Sequence, residues 1–304
     1  MKIRIGTRGS KLALWQAHWV AGRLKNNGFV PEIITISTKG DQMLEVSMSK
    51  IGSKGVFTQE LEDELLAGSI DLAVHSAKDL PSELPMEFEL VAFSQREYPG
   101  DVLVARGDLN LNEPRVLGTS STRRIAMIKH YYPAVEVVPI RGNVPTRIQK
   151  MQDGACDGLL LAYAGVHRLN FDHLIREKLL LDRFVPAVGQ GSIAVEISSD
   201  LETATKEGIR RSINHPETES CVLAERGFLK VLQGGCSIPA FSLCQSEDNL
   251  LTIIGGIISL DGTKMIRETF EDQKENAVLL GENLARSVLS NGGAALLEEI
   301  KEQL

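Results

Sequence analysis

Basic and hydroxyl side chains recur inside short turns of a chain that is acidic overall, with a formal net charge of −7. The turns are TRGS (Thr7 to Ser10), KIGSKG (Lys50 to Gly55), HSAKD (His75 to Asp79), GTSSTRR (Gly118 to Arg124) and RGNVPTR (Arg141 to Arg147). A turn that opens a helix aims unpaired backbone N–H groups and the positive end of the helix dipole at one spot. Arg, Lys and hydroxyl donors added there make an anion receptor. Any one arginine alone is explained as well by covering its own domain surface, but several such turns at strand ends point to a ligand with multiple carboxylates or phosphates. A partly desolvated Arg–carboxylate bond contributes about 1.5–3 kcal/mol, so a handful would hold a polyanion tightly.

One acid interrupts this cationic set: Asp79, beside Lys78. It either forms a salt bridge that relieves repulsion in the unliganded site or, if a reaction builds positive charge on the substrate, stabilises that cation and manages its protons. Cys236 stands in GGCSIP (Gly234 to Pro239), where two glycines allow close backbone approach and a proline ends the turn. That placement suits a nucleophile or a covalent attachment point, whereas Cys156 and Cys221 are expected to be buried and structural. His75 and His167 adjoin the motifs, and His75, ending an apolar strand, reads as a structural histidine. No Ser/His/Asp arrangement follows from spacing, and VGQGS and GSKG match neither the dinucleotide fingerprint nor the P-loop.

Composition narrows the class. Cys156, Cys221, Cys236 and Cys244 form no C-x-x-C pair and have no His at zinc-ligand spacing, so neither a metal site nor a disulfide framework is expected. The acidic balance argues against nucleic acid, whose binding needs an extended basic surface. The N-terminal MKIRIGTRGS lacks the apolar stretch of a signal peptide or membrane span, and a cytoplasmic enzyme is the expectation. With 304 residues, 43% hydrophobic and 24% charged, the chain is long enough for two or three domains.

The elements that must position these residues alternate. Apolar periodicity predicts a strand at Lys2 to Ile5, a helix from Ser10, a strand at Glu32 to Ile36, a helix at Thr58 to Ala67 and a strand at Asp71 to His75. Leu12, Trp15 and Trp19 share a helical face, which assigns both tryptophans to the core. A second run of the same kind follows Gly100, through strands at Val102 to Ala105, Val116 to Gly118, Val135 to Ile140 and Gly158 to Leu161, with helices at Ser121 to Tyr131 and Val144 to Gln152. Two parallel-sheet domains are implied, with ligands expected at strand carboxyl ends in a cleft between them. After the apolar run Ile193 to Ile197 and two helices, the pattern changes to antiparallel strands with a turn at Asp261 and Gly262, then two more helices. The Gly-, Ser- and Lys-rich stretch from Thr38 to Val56 reads as a lid.

The motifs TRGSKLALWQ, KGDQ, GSKGVFTQELE, DLAVHSAKDLP, GTSSTRR, RGNVPTR, LLLAYAGVHRL, PAVGQGS and GGCSIP, in this order, closely resemble the porphobilinogen deaminase family, also called hydroxymethylbilane synthases. The resemblance spans almost the whole chain and weakens after Phe241. It implies a transferase of porphyrin (tetrapyrrole, heme) biosynthesis that joins four porphobilinogen units into hydroxymethylbilane and releases ammonia at each step. Each pyrrole carries an acetate and a propionate, which supplies the polyanion. It also implies a dipyrromethane cofactor, made from two porphobilinogens and held through a thioether to Cys236. Asp79 takes the place of the catalytic aspartate that stabilises the azafulvene cation formed as ammonia departs. Arg8, Ser10, Lys54, Ser76, Lys78, Thr119, Ser120, Ser121, Arg123, Arg124, Arg141, Arg147 and Arg168 fall on positions that bind cofactor and substrate carboxylates, and Gln190 on the segment returning between domains.

The fold so implied is α/β: two doubly wound, periplasmic-binding-protein-like domains, at 1–95 with 190–212 and at 98–186, plus a smaller α+β domain at 216–304 bearing the cysteine loop. A monomer that passes its product to uroporphyrinogen III synthase is expected, with no metal, nucleic acid or membrane partner. Ser53, Pro145 and the crossover REYPGD (Arg96 to Asp101) depart from the commoner family pattern; Pro145 is tolerable in a first helical turn, and the crossover change bears on hinge contacts. Two other classes fit parts of the pattern: a binding protein that captures an organic anion unchanged, and a thiol acyltransferase using Cys236, for which no base is identifiable.

Overall fold

A computed structural model describes residues 1–38, 58–233 and 238–303. Most of the expected lid, with Ser53 and Lys54, and the loop holding Cys236 lie outside the described residues. The chain forms two compact units, Met1–Glu97 with Gly191–Glu219 and Tyr98–Gln190 with Ser220–Leu304.

In chain order the first unit opens with β1 (Lys2–Arg8), α1 (Lys11–Asn26), β2 (Val30–Ile36), α2 (Gln59–Leu66), β3 (Leu72–Ser76) and β4 (Phe88–Phe93). The chain then enters the second unit with β5 (Asp101–Ala105), β6 (Arg115–Gly118), α3 (Thr122–Tyr131), β7 (Val135–Val138), α4 (Val144–Gln152), β8 (Gly158–Ala162), α5 (Tyr163–Arg168) and β9 (Ile175–Lys178). It continues through β10 (Ile193–Ser198), α6 (Thr203–Ile213), α7 (Pro216–Val231), β11 (Ala240–Glu247), β12 (Leu250–Ile258), β13 (Met265–Gln273), α8 (Ala277–Val288) and α9 (Ala294–Glu302).

The two large sheets share one plan, β2-β1-β3-β10-β4 and β7-β6-β8-β5-β9. Three strands of each run parallel, as expected. The fourth runs antiparallel, so both sheets are mixed: β10 against β3 and β4, β5 against β8 and β9. In each sheet that strand is the first element formed after the chain arrives from the other unit. The edge strands β4 and β9 lie beyond the sequence reading; IREK in β9 is charged and half exposed and carries no apolar alternation.

Helix α1 begins where Ser10 accepts a hydrogen bond from the Ala13 N–H at 3.2 Å. Its buried face is Ala13, Gln16, Ala17, Val20 and Leu24, which corrects the assignment of Trp15 to the core: Trp15 is 36% exposed. Trp19 is half-buried and packs against the core as expected, with the Arg23 guanidinium 5.0 Å above its ring. Polar Gln16 in mid-stripe hides the true apolar face from a hydropathy pattern, and small Ala13 and Ala17 let the helix lie close to the sheet.

The smaller antiparallel sheet, β11-β12-β13, packs α7, α8 and α9 around its own core. Its Phe241, Leu243 and Ile258 also enter a core with Leu103, Leu117 and Met127 of the preceding sheet layer. The turn at Gly262 (φ +77°) lies against α3: His130 Nδ1 is 2.7 Å from the Gly262 carbonyl, and Lys129 Nζ donates to the Leu260 carbonyl at 3.1 Å. Arginine-bearing α3 and the C-terminal sheet are therefore one packed body.

Helix α7, which leads toward residues 234–237, meets α8 through two glycines. A Cβ on Gly281 would lie 1.8 Å from the Ala224 carbonyl oxygen, and one on Gly227 would lie 2.5 Å from that of Val278. Backbone cannot give way as a side-chain tip can, so Gly281→Ala should cost about 1–3 kcal/mol or more. Urea denaturation of the variant checks this, and an unchanged midpoint would mean that the helices are not in this close contact.

Candidate active site

The basic turns follow strand carboxyl ends: TRGS follows β1 and HSAKD follows β3 in the first sheet, while GTSSTRR, RGNVPTR and YAGVHR follow β6, β7 and β8 in the second. Parallel pairing of these strands within each sheet gathers the turns at one sheet edge.

In the first unit Arg8, Ser10, Ser76 and Asp79 line one pocket, together with Gln16, Thr58 and His75. Two successive ties fix the strand end that delivers Asp79: Ser76 Oγ accepts from Gln16 Nε2 at 2.9 Å, and the Ala77 N–H donates to the Ser192 carbonyl at 3.0 Å. His75, just before them, lies against Glu196. A single 3-10 turn, Ala77–Asp79, then presents Lys78 half-buried and Asp79 exposed. The salt-bridge reading of Asp79 finds no counterpart among the described residues, where no hydrogen bond or ion pair reaches its carboxylate. A carboxylate placed by its backbone and left unspent is available to a ligand.

In the second unit the predicted residues divide. Thr119 Oγ1 accepts from the Ser121 N–H at 3.3 Å, and Ser120 Oγ donates to the Ile140 carbonyl at 3.1 Å. Ser121 stands at the N-cap of α3 but makes no side-chain capping bond, so the first-turn N–H groups of this helix keep their anion-binding capacity. Arg147 Nε donates to the Gly142 carbonyl at 2.6 Å, while Asn143 caps α4 and Pro145 sits in its first turn. Arg141 is half-buried, and Arg168, ending α5, is buried.

Arg123 and Arg124 are both buried, and a single acid, Asp101, lies between them. Its Oδ2 accepts from Arg123 Nη2 at 2.8 Å and its Oδ1 from Arg124 Nη2 at 2.7 Å. Gln190, also buried, donates Nε2 to Asp101 Oδ1 at 2.8 Å and to the Pro99 carbonyl at 2.7 Å. The Nη1 atoms of Arg123 and Arg124 donate to the Val185 carbonyl at 2.9 Å and the Leu160 carbonyl at 3.2 Å. Burial pushes the Asp101 carboxyl up, but the charges of both arginines and the bonds from Arg124 and Gln190 outweigh it and hold it well below the carboxylate range. Within this cluster two guanidiniums face one carboxylate, which leaves a positive charge over, and both arginine Nε atoms are buried without a hydrogen-bond partner among the described residues. A buried surplus of this kind is relieved by an anion.

Cys156, Cys221 and Cys244 are buried, and burial pushes the Cys156 thiol up, away from the reactive thiolate. No cluster of His, Cys, Asp or Glu able to hold a metal occurs among the described residues. Three participants escape the sequence reading: Gln16 carries no signal there, His75 reads as a structural histidine rather than as part of a pocket, and Asp101 opens an apolar strand whose pairing with a doubled arginine 22 residues away only the fold reveals.

Residues 3–206 match the family model described as porphobilinogen deaminase, dipyromethane cofactor binding domain, and residues 219–290 match porphobilinogen deaminase, C-terminal domain. A porphobilinogen deaminase of Desulfosudis oleivorans is 54% identical over 307 aligned positions, covering 100% of this chain and 99% of that protein. One from Cytophaga hutchinsonii is 49% identical, covering 99% and 98%. Among solved structures, the periplasmic VFT2 domain of Bordetella pertussis BvgS aligns with 69% of this chain and 86% of its own at a TM-score of 0.41 and 16% identity, a likeness too slight to carry an argument.

Asp101→Asn leaves two guanidiniums buried without a counter-charge and should cost about 3–5 kcal/mol at neutral pH. Because the folded carboxyl titrates below its unfolded value of about 3.9, its contribution is complete above that value and is lost as pH falls toward the folded one. The stability gap between wild type and variant, followed by denaturant titration, should therefore be widest near neutrality and close below about pH 4. A gap independent of pH would contradict the ion-pair assignment.

Proposed function

The chain belongs to the porphobilinogen deaminase family, transferases that polymerise porphobilinogen to hydroxymethylbilane with release of ammonia in porphyrin biosynthesis, and from that premise we propose how its side chains divide the work. Cys236 carries the dipyrromethane through a thioether. The glycines of its loop and the inert burial of the other cysteines support this assignment. The bound group supplies a fixed pyrrole end to which new units add. Its carboxylates suit the chemistry of the second unit, where the surplus charge of Arg123 and Arg124 and the uncapped start of α3 both favour an anion. Thr119, Ser120, Ser121, Arg141, Arg147 and Arg168 complete that set, and Gln190 braces it through Asp101. Arg8, Ser10, Lys54, Ser76 and Lys78 bind the acetate and propionate of the incoming substrate.

Asp79 is the catalytic residue. As the C–N bond of the substrate's aminomethyl group breaks, its electron pair leaves with ammonia and the methylene carbon becomes electron-poor. The Asp79 carboxylate stabilises that cation through the pyrrole N–H. When the new C–C bond has formed, the proton lost from the attacked ring carbon passes to a base, and Asp79 is placed to take it. Net, the proton converts the departing ammonia to ammonium. The observation that carries this reading is the Asp79 carboxylate, unpaired among the described residues, in a pocket whose other polar lining is an arginine, hydroxyls, an amide and the His75 imidazole. One site serves every condensation. The protein acts as a cytoplasmic monomer that hands its product to uroporphyrinogen III synthase; no helix among the described residues is long and apolar enough to cross a membrane.

Asp79→Asn should lower kcat for ammonia release by about 10²-fold or more while the protein keeps its covalent mass increment. Normal turnover in this variant would refute the role. Cys236→Ser should have the mass of the bare chain and no turnover, and an increment that persists would place the attachment elsewhere.

A further inference from the structure

The Asp79 pocket has a floor that this chemistry leaves unused. His75, 6% exposed, lines it from β3. Its Nε2 lies 2.8 Å from Oε2 of Glu196, a side chain with no exposure. The β3–β10 ladder puts them there: His75 is opposite Ala194, so Glu196, two residues on, is its diagonal neighbour on the same sheet face. The two groups are close enough for an ion pair but not aligned as a hydrogen bond, and neither Glu196 oxygen has another donor among the described residues. A carboxylate this far from water needs its charge met, and the imidazole is in place to meet it.

Among the described residues, the other charged groups near the ring are Glu62 from α2 and, lining the same pocket, Arg8 from the end of β1 and Asp79, with Lys78 on the turn that bears Asp79. Burial pushes the Glu62 carboxyl up, the charge of Glu196 adds to the rise, and the Thr58 side chain and the charge of His75 oppose it. Glu196, 2.8 Å from Nε2, is the acid placed directly against the imidazole.

We propose that Glu196 is a positioning residue for the reaction: it fixes the His75 ring in the pocket floor and cancels its charge, so that the floor adds no positive charge where a cation must form. The inference rests on the reading of Asp79 given above. Without Glu196, protonation of His75 would leave an uncompensated imidazolium facing the developing cation. An imidazole gains its proton as pH falls, so the penalty falls on the acid side.

The test is the pH profile of kcat for Glu196→Gln, with KM and the thermal midpoint measured alongside. The expected result is a kcat within about threefold of wild type near pH 8.5, falling at least about tenfold further than wild type near pH 5.5, with KM little changed. The double variant His75→Gln/Glu196→Gln, in which the side-chain amides can bond one another and no buried charge is orphaned, should recover the wild-type profile. It also gives a reading if the single variant folds poorly. A wild-type profile in Glu196→Gln, or an acid loss that persists in the double variant, overturns the proposal. Wild-type turnover in Asp79→Asn would instead overturn the reading of Asp79, so the two failures are separable.

Discussion

A single buried carboxylate shared by two guanidiniums is the constraint on which the second unit depends. Asp101 takes one charge-assisted bond from each of Arg123 and Arg124, and Gln190 adds a third donor. Adjacent arginines on one helix would repel each other out of water; the shared acid makes their burial tolerable without making it neutral. In the proposed function that residual positive charge is what draws the ligand's carboxylates. Because α3 is also packed against the C-terminal sheet through His130, Lys129 and the Gly262 turn, the charge is held on a rigid body.

The first unit solves the opposite problem. In the proposed reaction its acid, Asp79, meets a short-lived cation, a role that an ion pair of its own would block. Asp79 is therefore positioned indirectly, through anchors on Ser76 and Ala77 and a one-turn 3-10 helix. In one unit the fold spends hydrogen bonds on the charged groups themselves; in the other it spends them on the backbone that leads to one.

Much of this was legible in the sequence because the signals are local. The basic turns, the alternating strands and helices and the Ser10 cap depend on spacings of a few residues. What escaped was long-range or masked by composition. The antiparallel course of β5 and β10 depends on where the chain re-enters each sheet, which hydropathy does not encode. The edge strand β9 is too charged to read as a strand, and Gln16 disguised the buried face of α1. Likewise, Arg123 and Arg124 were recognisable as anion binders, but their dependence on Asp101 required the β5 to α3 contact, as the role of His75 required its diagonal partner on β10.

The central claim is that a covalently anchored, anionic chain grows on this protein one pyrrole at a time at a single carboxylate. Its most direct test is electrospray mass spectrometry of the native enzyme after mixing with limiting porphobilinogen. The account predicts a resting mass above that of the bare chain and a series of heavier species, each separated by one porphobilinogen less one ammonia. A resting mass equal to the bare chain, or free product formed with no heavier protein species at any time, would contradict it.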